Sequence, residues 1–215
     1  HGVDDAAFVI WNAYKYFPQK TVFCVVIDPG VGTSRKIIAV ETDKHIFVAP
    51  DNGVLDMVLS EANILKVVEV KNVAFFQDQV SATFHGRDVF APVAAHLSKG
   101  EQIDSFGDLI QTVPQESPFF NLSDADAGIH QGKVIYIDKF GNLITNLKVR
   151  GKISGTVKIN GKIIPQISNT FGDVGYGELL AYIGSSQLLE IAVRNNSAEQ
   201  MVPANYLDSV EIRID

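Results

Sequence analysis

An apolar run, Val22-Phe23-Cys24-Val25-Val26-Ile27, ends on Asp28 and passes directly into Pro29-Gly30-Val31-Gly32-Thr33-Ser34-Arg35. A run without polar interruption, stopped by proline and glycine, reads as a buried strand over 21–27, and such strands belong to sheets covered on their faces. The neighbouring sequence supplies the cover. Asp4 and Asp5 open a helix in which Ala7, Ile10, Trp11 and Tyr14 recur at helical spacing, and it stops before Phe17-Pro18. Strand-like runs at 37–42, 45–49 and 64–70 alternate with a short helix at 54–61. A longer helix over 87–99 takes its apolar side from Val89, Pro92, Val93, Ala95, His96 and Leu97 and is closed by Gly100. Residues 1–112 therefore read as an α/β domain.

Between 113 and 129 the text becomes polar and irregular, with Pro114, Glu116, Pro118, Asn121, Ser123, Asp124, Asp126 and Gly128, and reads as a linker. From 130 to 215 short strands are predicted at 134–138, 143–149, 156–159, 162–167, 179–183, 188–193 and 210–214, with Asn160-Gly161 as a two-residue hairpin turn. The second half is thus a mostly β domain, a small barrel or sandwich. At 215 residues, 46% hydrophobic and 20% charged, the chain has the composition of a globular protein with a sizeable core. A net charge of −7 without a basic run disfavours nucleic acid and anionic membranes as partners, and no apolar stretch approaches the ~20 residues of a membrane span. The lone cysteine, Cys24, excludes an intrachain disulfide, and the five histidines lack metal-ligand spacing, so no metal is expected. The expected location is the cytoplasm.

Two places carry candidate chemistry. Asp28 and Arg35 flank the glycine turn at the carboxyl end of a strand, where open α/β sheets bind ligands; a structural ion pair across the turn is the plainer alternative. His85, within Phe84-His85-Gly86-Arg87-Asp88, stands at the mouth of the second helix, open to a role as base, proton shuttle or donor, whereas His96 inside the helix reads as structural. Asp138-Lys139-Phe140-Gly141-Asn142 bridges two strands, and a turn in which Asp and Asn satisfy local backbone groups accounts for it equally well. Pro50-Asp51-Asn52-Gly53 is as much architectural as functional and is left outside the site.

Four segments in register, Asp28-Pro29-Gly30-Val31-Gly32-Thr33 with Arg35, Ala49-Pro50-Asp51-Asn52-Gly53, Phe84-His85-Gly86-Arg87-Asp88 with Ala91-Pro92-Val93-Ala94, and Ile137-Asp138-Lys139-Phe140-Gly141-Asn142 with Thr145-Asn146, resemble the adenosine-forming S-adenosyl-L-methionine hydrolases. These belong to the fluorinase/chlorinase superfamily. The resemblance implies that Asp28, Arg35 and His85 converge on a water molecule beside the ribose C5′ of S-adenosyl-L-methionine, which is substrate and not cofactor. It implies that Asp138 and Asn142 hold the amino-acid end and that Phe140 packs against the substrate. Phe171, Ser185 and Glu190 fall where superfamily members approach the adenosine or amino-acid portions. Phe84 is a candidate to stack beside adenine or ribose, with a buried aromatic as its alternative.

The resemblance also implies a homotrimer with sites at subunit interfaces. It further implies an upstream strand and turn, carrying a ribose-gripping aspartate, before the helix that starts near Val3. Relatives of the fluorinase branch carry a long insert after the strand that follows the glycine turn, Phe-Tyr-Ser in place of Phe84-His85-Gly86, and tyrosine in place of Asp28. None of these is present here, which puts hydrolysis ahead of a chlorinase-like halide transfer. A slow-turnover S-adenosyl-L-methionine-binding sensor is the alternative of a different class.

Overall fold

The computed structural model describes residues 2–111, 123–151 and 153–215. The chain divides into two compact units, His1–Gln115 and Glu116–Asp215. The first begins with α1 (Val3–Ala13), followed by β1 (Val22–Cys24), β2 (Ile37–Thr42), β3 (Ile46–Pro50), α2 (Asp56–Glu61), β4 (Ile64–Val70), a π-helical turn (Gly86–Phe90) running into α3 (Ala91–Ser98), and β5 (Gly107–Leu109). Its sheet has the order β1-β3-β2-β4-β5. Only the β1/β3 pair is parallel; β2 pairs antiparallel with β3 and β4, and β4 with β5. The mixed sheet follows from connection length, since three residues join β2 to β3 and a parallel crossover needs a dozen or more. On one face Ala39, Val48 and Val68 pack with Val89, Phe90, Val93 and Leu97 of the π turn and α3. Phe47 meets Tyr14, just beyond α1, with ring centroids 5.8 Å apart.

The expected strand over 21–27 is shorter than its apolar text. β1 is an edge strand paired to β3 alone. Val25 adds one further bond to the Val48 carbonyl, and the Ile27 carbonyl is taken by the Asn52 side chain instead of a strand. The segment has left the sheet by then, Val26 is 43% exposed, and Cys24 is exposed instead of buried in the strand. The helix expected over 87–99 is likewise divided. Pro92 has no N–H to offer the Asp88 carbonyl four residues back, and that carbonyl accepts from Gln77 N–H at 2.9 Å. Ala95 and His96, read as part of the apolar side, are exposed, and the His96 ring lies edge-on to Phe75.

The second unit comprises β6 (Ser123–Asp124), β7 (Gly128–Ile137), β8 (Leu143–Lys148), β9 (Gly155–Ile159), β10 (Lys162–Ile164), β11 (Ile167–Ser168), β12 (Leu179–Ile183), β13 (Leu188–Val193), a short helix α4 (Ala198–Met201) and β14 (Ser209–Ile214). The order is β10-β9-β14-β7-β8-β13-β12-β11, with β6 beside β8. β9 approaches β11 and β10 approaches β12, which curls the sheet into a nearly closed barrel. Val134, Leu147, Val157, Ile159, Ile191, Val210 and Ile212 fill it. Asn160 and Gly161 both have positive φ, 44° and 74°, as a tight primed hairpin turn requires. The predicted strand over 162–167 is interrupted at Pro165, which cannot donate to a ladder. Of the predicted linker, residues 113–122 lie outside the described residues, whereas 123–124 and 128–129 are already strand: β7 starts early because its polar first half pairs with β14 from Gly128 to Lys133.

Candidate active site

The glycine turn returns the chain on itself. Thr33 N–H and Oγ1 both donate to the Gly30 carbonyl, at 3.1 and 2.7 Å, and Arg35 N–H donates to Thr33 Oγ1 at 3.3 Å. Arg35 is thereby set against Asp28: Nε lies 2.8 and 2.9 Å from the two carboxylate oxygens, and Nη2 donates to Oδ2 as well. The side chains are 10% and 6% exposed, so this ion pair is almost withdrawn from solvent. Beneath it lies the buried ring of Phe90, 5.6 Å from the guanidinium carbon.

The same Nη2 lies 3.0 Å from His85 Nδ1. A guanidinium only donates, so Nδ1 is the acceptor, and a neutral His85 carries its proton on Nε2. Asp28, Arg35 and His85 thus form one hydrogen-bonded cluster from a turn and a loop fifty residues apart. Two glycines permit that approach. At Gly32 (φ 77°) a Cβ would stand 2.7 Å from the Ala82 carbonyl oxygen, and at Gly86 one would stand 2.9 Å from Val26 Cγ1. The His85 loop is closed by Asp88, whose carboxylate accepts from Ser81 N–H at 2.8 Å and from Arg87 Nε at 2.6 Å. Arg87 and the Ser81 amide hold the Asp88 carboxyl below the usual carboxylate range. Phe84 is largely exposed, with the Arg87 guanidinium 4.8 Å above its ring, and is not buried core.

In the second unit a cleft of about 710 Å³ is lined by Asp138, Phe140, Asn142, Phe171, Tyr182 and Arg194, among others. Asp138 Oδ1 accepts from the backbone N–H groups of Phe140 and Asn142, at 2.8 and 2.9 Å, and its Oδ2 accepts from Asn142 Nδ2 at 2.9 Å. The local turn read from the sequence is therefore present, and the same two side chains line the cleft. Glu190 does not line it. It accepts from the Tyr182 hydroxyl at 2.5 Å, and burial, with a further push from Asp138, raises its carboxyl pKa. Ser185 sits in the turn between β12 and β13 and does not line the cleft. Tyr182, whose ring is 5.1 Å from Phe171, and Arg194, which donates to the Val174 carbonyl at 2.6 Å, also line the cleft, and neither stands in a motif that would mark it in the sequence. Among the described residues no group of three His, Cys, Asp or Glu is arranged to hold a metal.

Residues 1–107 match the SAM hydroxide adenosyltransferase N-terminal domain, and residues 132–211 match its C-terminal domain. The chain belongs to the SAM hydroxide adenosyltransferase family. An (R)-S-adenosyl-L-methionine hydrolase of Thermus thermophilus is 37% identical to this family member over 91% of the chain and 76% of the relative. A fluorinase of Actinopolyspora mzabensis matches at 28%, over 99% of the chain and 82% of the relative. The crystal structure of an uncharacterized conserved protein from Thermotoga maritima superposes with a TM-score of 0.86 at 37% identity, covering 99% of this chain and 84% of that one.

Proposed function

We propose that this protein is an enzyme that hydrolyses S-adenosyl-L-methionine to adenosine and L-methionine. The observation that carries the reading is the direct contact of Arg35 with both Asp28 and His85, in a chain whose relatives at 30–37% identity are named as hydrolases of this substrate and whose fluorinase relatives are more distant. The sulfonium already makes methionine a neutral leaving group, so in-line attack at C5′ needs no acid, only an oriented and activated oxygen. Water attacks C5′, the C5′–S bond breaks, and its electron pair stays on sulfur. His85 presents Nε2–H to orient the nucleophile while its Nδ1 is held by Arg35. Asp28 keeps lone pairs free beyond those facing Arg35 and takes the proton. Arg35 stabilises developing hydroxide from the attacking side, where its charge does not oppose the sulfonium at close range.

The cleft of Asp138, Phe140, Asn142 and Phe171 is assigned to substrate binding, with Asp138 accepting from the methionine ammonium and the aromatic rings packing on apolar surface. Phe84, Ser185 and Glu190 are secondary contacts in this reading, Glu190 through Tyr182. The functional state is a cytoplasmic homotrimer in which different chains supply the water-activating cluster and the binding cleft to each site; among the described residues no helix is long and apolar enough to cross a membrane. Incubation with S-adenosyl-L-methionine in chloride buffer, followed by chromatography, tests the reaction. Adenosine and methionine in equal amounts are expected, and 5′-chloro-5′-deoxyadenosine or unreacted substrate would overturn it.

A further inference from the structure

We propose that Asn52 and Asp88 are the positioning residues of the Asp28, Arg35 and His85 cluster, each holding the backbone of a segment that has no regular structure of its own. The proposal rests on the reading of that cluster as the water-activating group. Between Cys24 and Ile37 the chain belongs to no strand or helix, and Asp28 and Arg35 both stand in that stretch. Asn52, in the turn after β3, donates from Nδ2 to the Ile27 carbonyl at 2.9 Å, while its Oδ1 accepts from Val54 N–H at 3.2 Å. The Ile27 carbonyl belongs to the same peptide plane as the Asp28 N–H. Asn52 therefore ties the first residue of the cluster to the end of a paired strand.

His85 stands on an equally irregular approach, and Asp88 holds it at two points. The Asp88 carbonyl accepts from Gln77 N–H at 2.9 Å and its carboxylate from Ser81 N–H at 2.8 Å. Asp88 is 1% exposed, and a buried carboxylate is costly unless it is satisfied. Its partner Arg87 is largely exposed, and Asp88 makes no hydrogen bond to Asp28, Arg35 or His85. The buried carboxylate closes the loop from Ser81 to Asp88, in which His85 is held toward Arg35, and its charge also interacts with His85 through space. The 3.0 Å contact between Arg35 Nη2 and His85 Nδ1 does not survive a shift of about 1 Å in either segment, a misplacement that typically costs about 10²-fold in rate.

Asn72 provides the control, because it makes the same pair of bonds away from the cluster, Nδ2 to the Ser105 carbonyl at 2.8 Å and Oδ1 from Ala74 N–H at 3.2 Å. Asn52→Ala, Asp88→Ala, Asp88→Asn and Asn72→Ala are compared for kcat, KM and thermal midpoint in the full chain. Asn52→Ala and Asp88→Ala are expected to lower kcat about 10- to 100-fold with KM within about threefold of wild type. Asp88→Asn, whose amide oxygen still accepts from Ser81 N–H, should recover most of that loss, and Asn72→Ala should leave kcat within about twofold. Unchanged kcat in folded Asn52→Ala or Asp88→Ala overturns the assignment, as does an equal loss in Asn72→Ala or no recovery in Asp88→Asn. If Asp88→Ala does not fold, Asn52→Ala and Asp88→Asn decide. Imidazole nitrogen NMR gives a readout independent of turnover: His85 should keep its proton on Nε2 in wild type and Asn72→Ala and lose that preference in Asn52→Ala. Wild type that shows this pattern but no hydrolysis refutes the assigned reaction and leaves the positioning role standing; an unchanged His85 in Asn52→Ala refutes the positioning role.

Discussion

Arg35 spends one nitrogen on bracing Asp28 and shares another between Asp28 and His85, a task for a planar fork and not for a point charge. Arg35→Ala would leave a nearly buried carboxylate unpaired, a change that typically costs about 3–5 kcal/mol of stability and confounds an activity measurement. Arg35→Lys keeps the charge. Its expected outcome is a fall in kcat of about 10²–10³-fold with a smaller change in KM, measured as adenosine release; near-wild-type turnover would show that charge alone suffices. At this scale the sequence was legible wherever residues sat in a compact motif. Asp28, Arg35 and His85 stand in such motifs, and Arg35 contacts both of the others. Asn52 is not legible in this way, because a Pro-Asp-Asn-Gly turn explains itself locally and its bond to Ile27 spans twenty-five residues. Tyr182 lay in an ordinary apolar strand text, and only its cross-strand pairing with Glu190 brings out its role.

At the scale of elements, strands with a sharp turn at their end were read to within a residue or two, and those whose fate depends on a neighbour were not. Ile37–Thr42, Ile64–Val70, Leu179–Ile183 and Leu188–Val193 stand as expected. β5 and β6 were missed, since strands of three and two residues carry no alternation to read. The 42–45 turn between β2 and β3 carries a testable feature. His45 is 3% exposed, its ring edge-on to Phe23 and Tyr14 at 5.4 and 5.9 Å, and its Nδ1 has no partner among the described residues. Burial, helped by Lys44 and opposed by Asp43, holds its pKa below the ordinary 6.5. The unfolded chain then binds this proton more readily than the folded one, so stability is complete above pH 6.5 and declines as pH falls from there toward the lower folded value. Thermal melts should show that His45→Phe, which keeps the aromatic contacts, loses less stability than wild type between pH 7.5 and pH 5. Parallel pH profiles for the two proteins would contradict this.

For the whole molecule, alternation of helices and strands followed by strands alone was enough to read an α/β unit and a mostly β unit, and the structure has both. The mixed sheet and the near-closure of the barrel were beyond reach, because they depend on which strands pair and not on what each contains. The candidate residues follow the same division: Asp28, Arg35 and His85 meet on the first unit, and the second carries the cleft lined by Asp138, Phe140, Asn142, Phe171, Tyr182 and Arg194. Attack by water at C5′ leaves an isotopic trace in the products. Turnover of S-adenosyl-L-methionine in ¹⁸O-water, followed by mass spectrometry of both products, should place a single ¹⁸O on the 5′-oxygen of adenosine and none on methionine. Adenosine without the label would contradict attack by water.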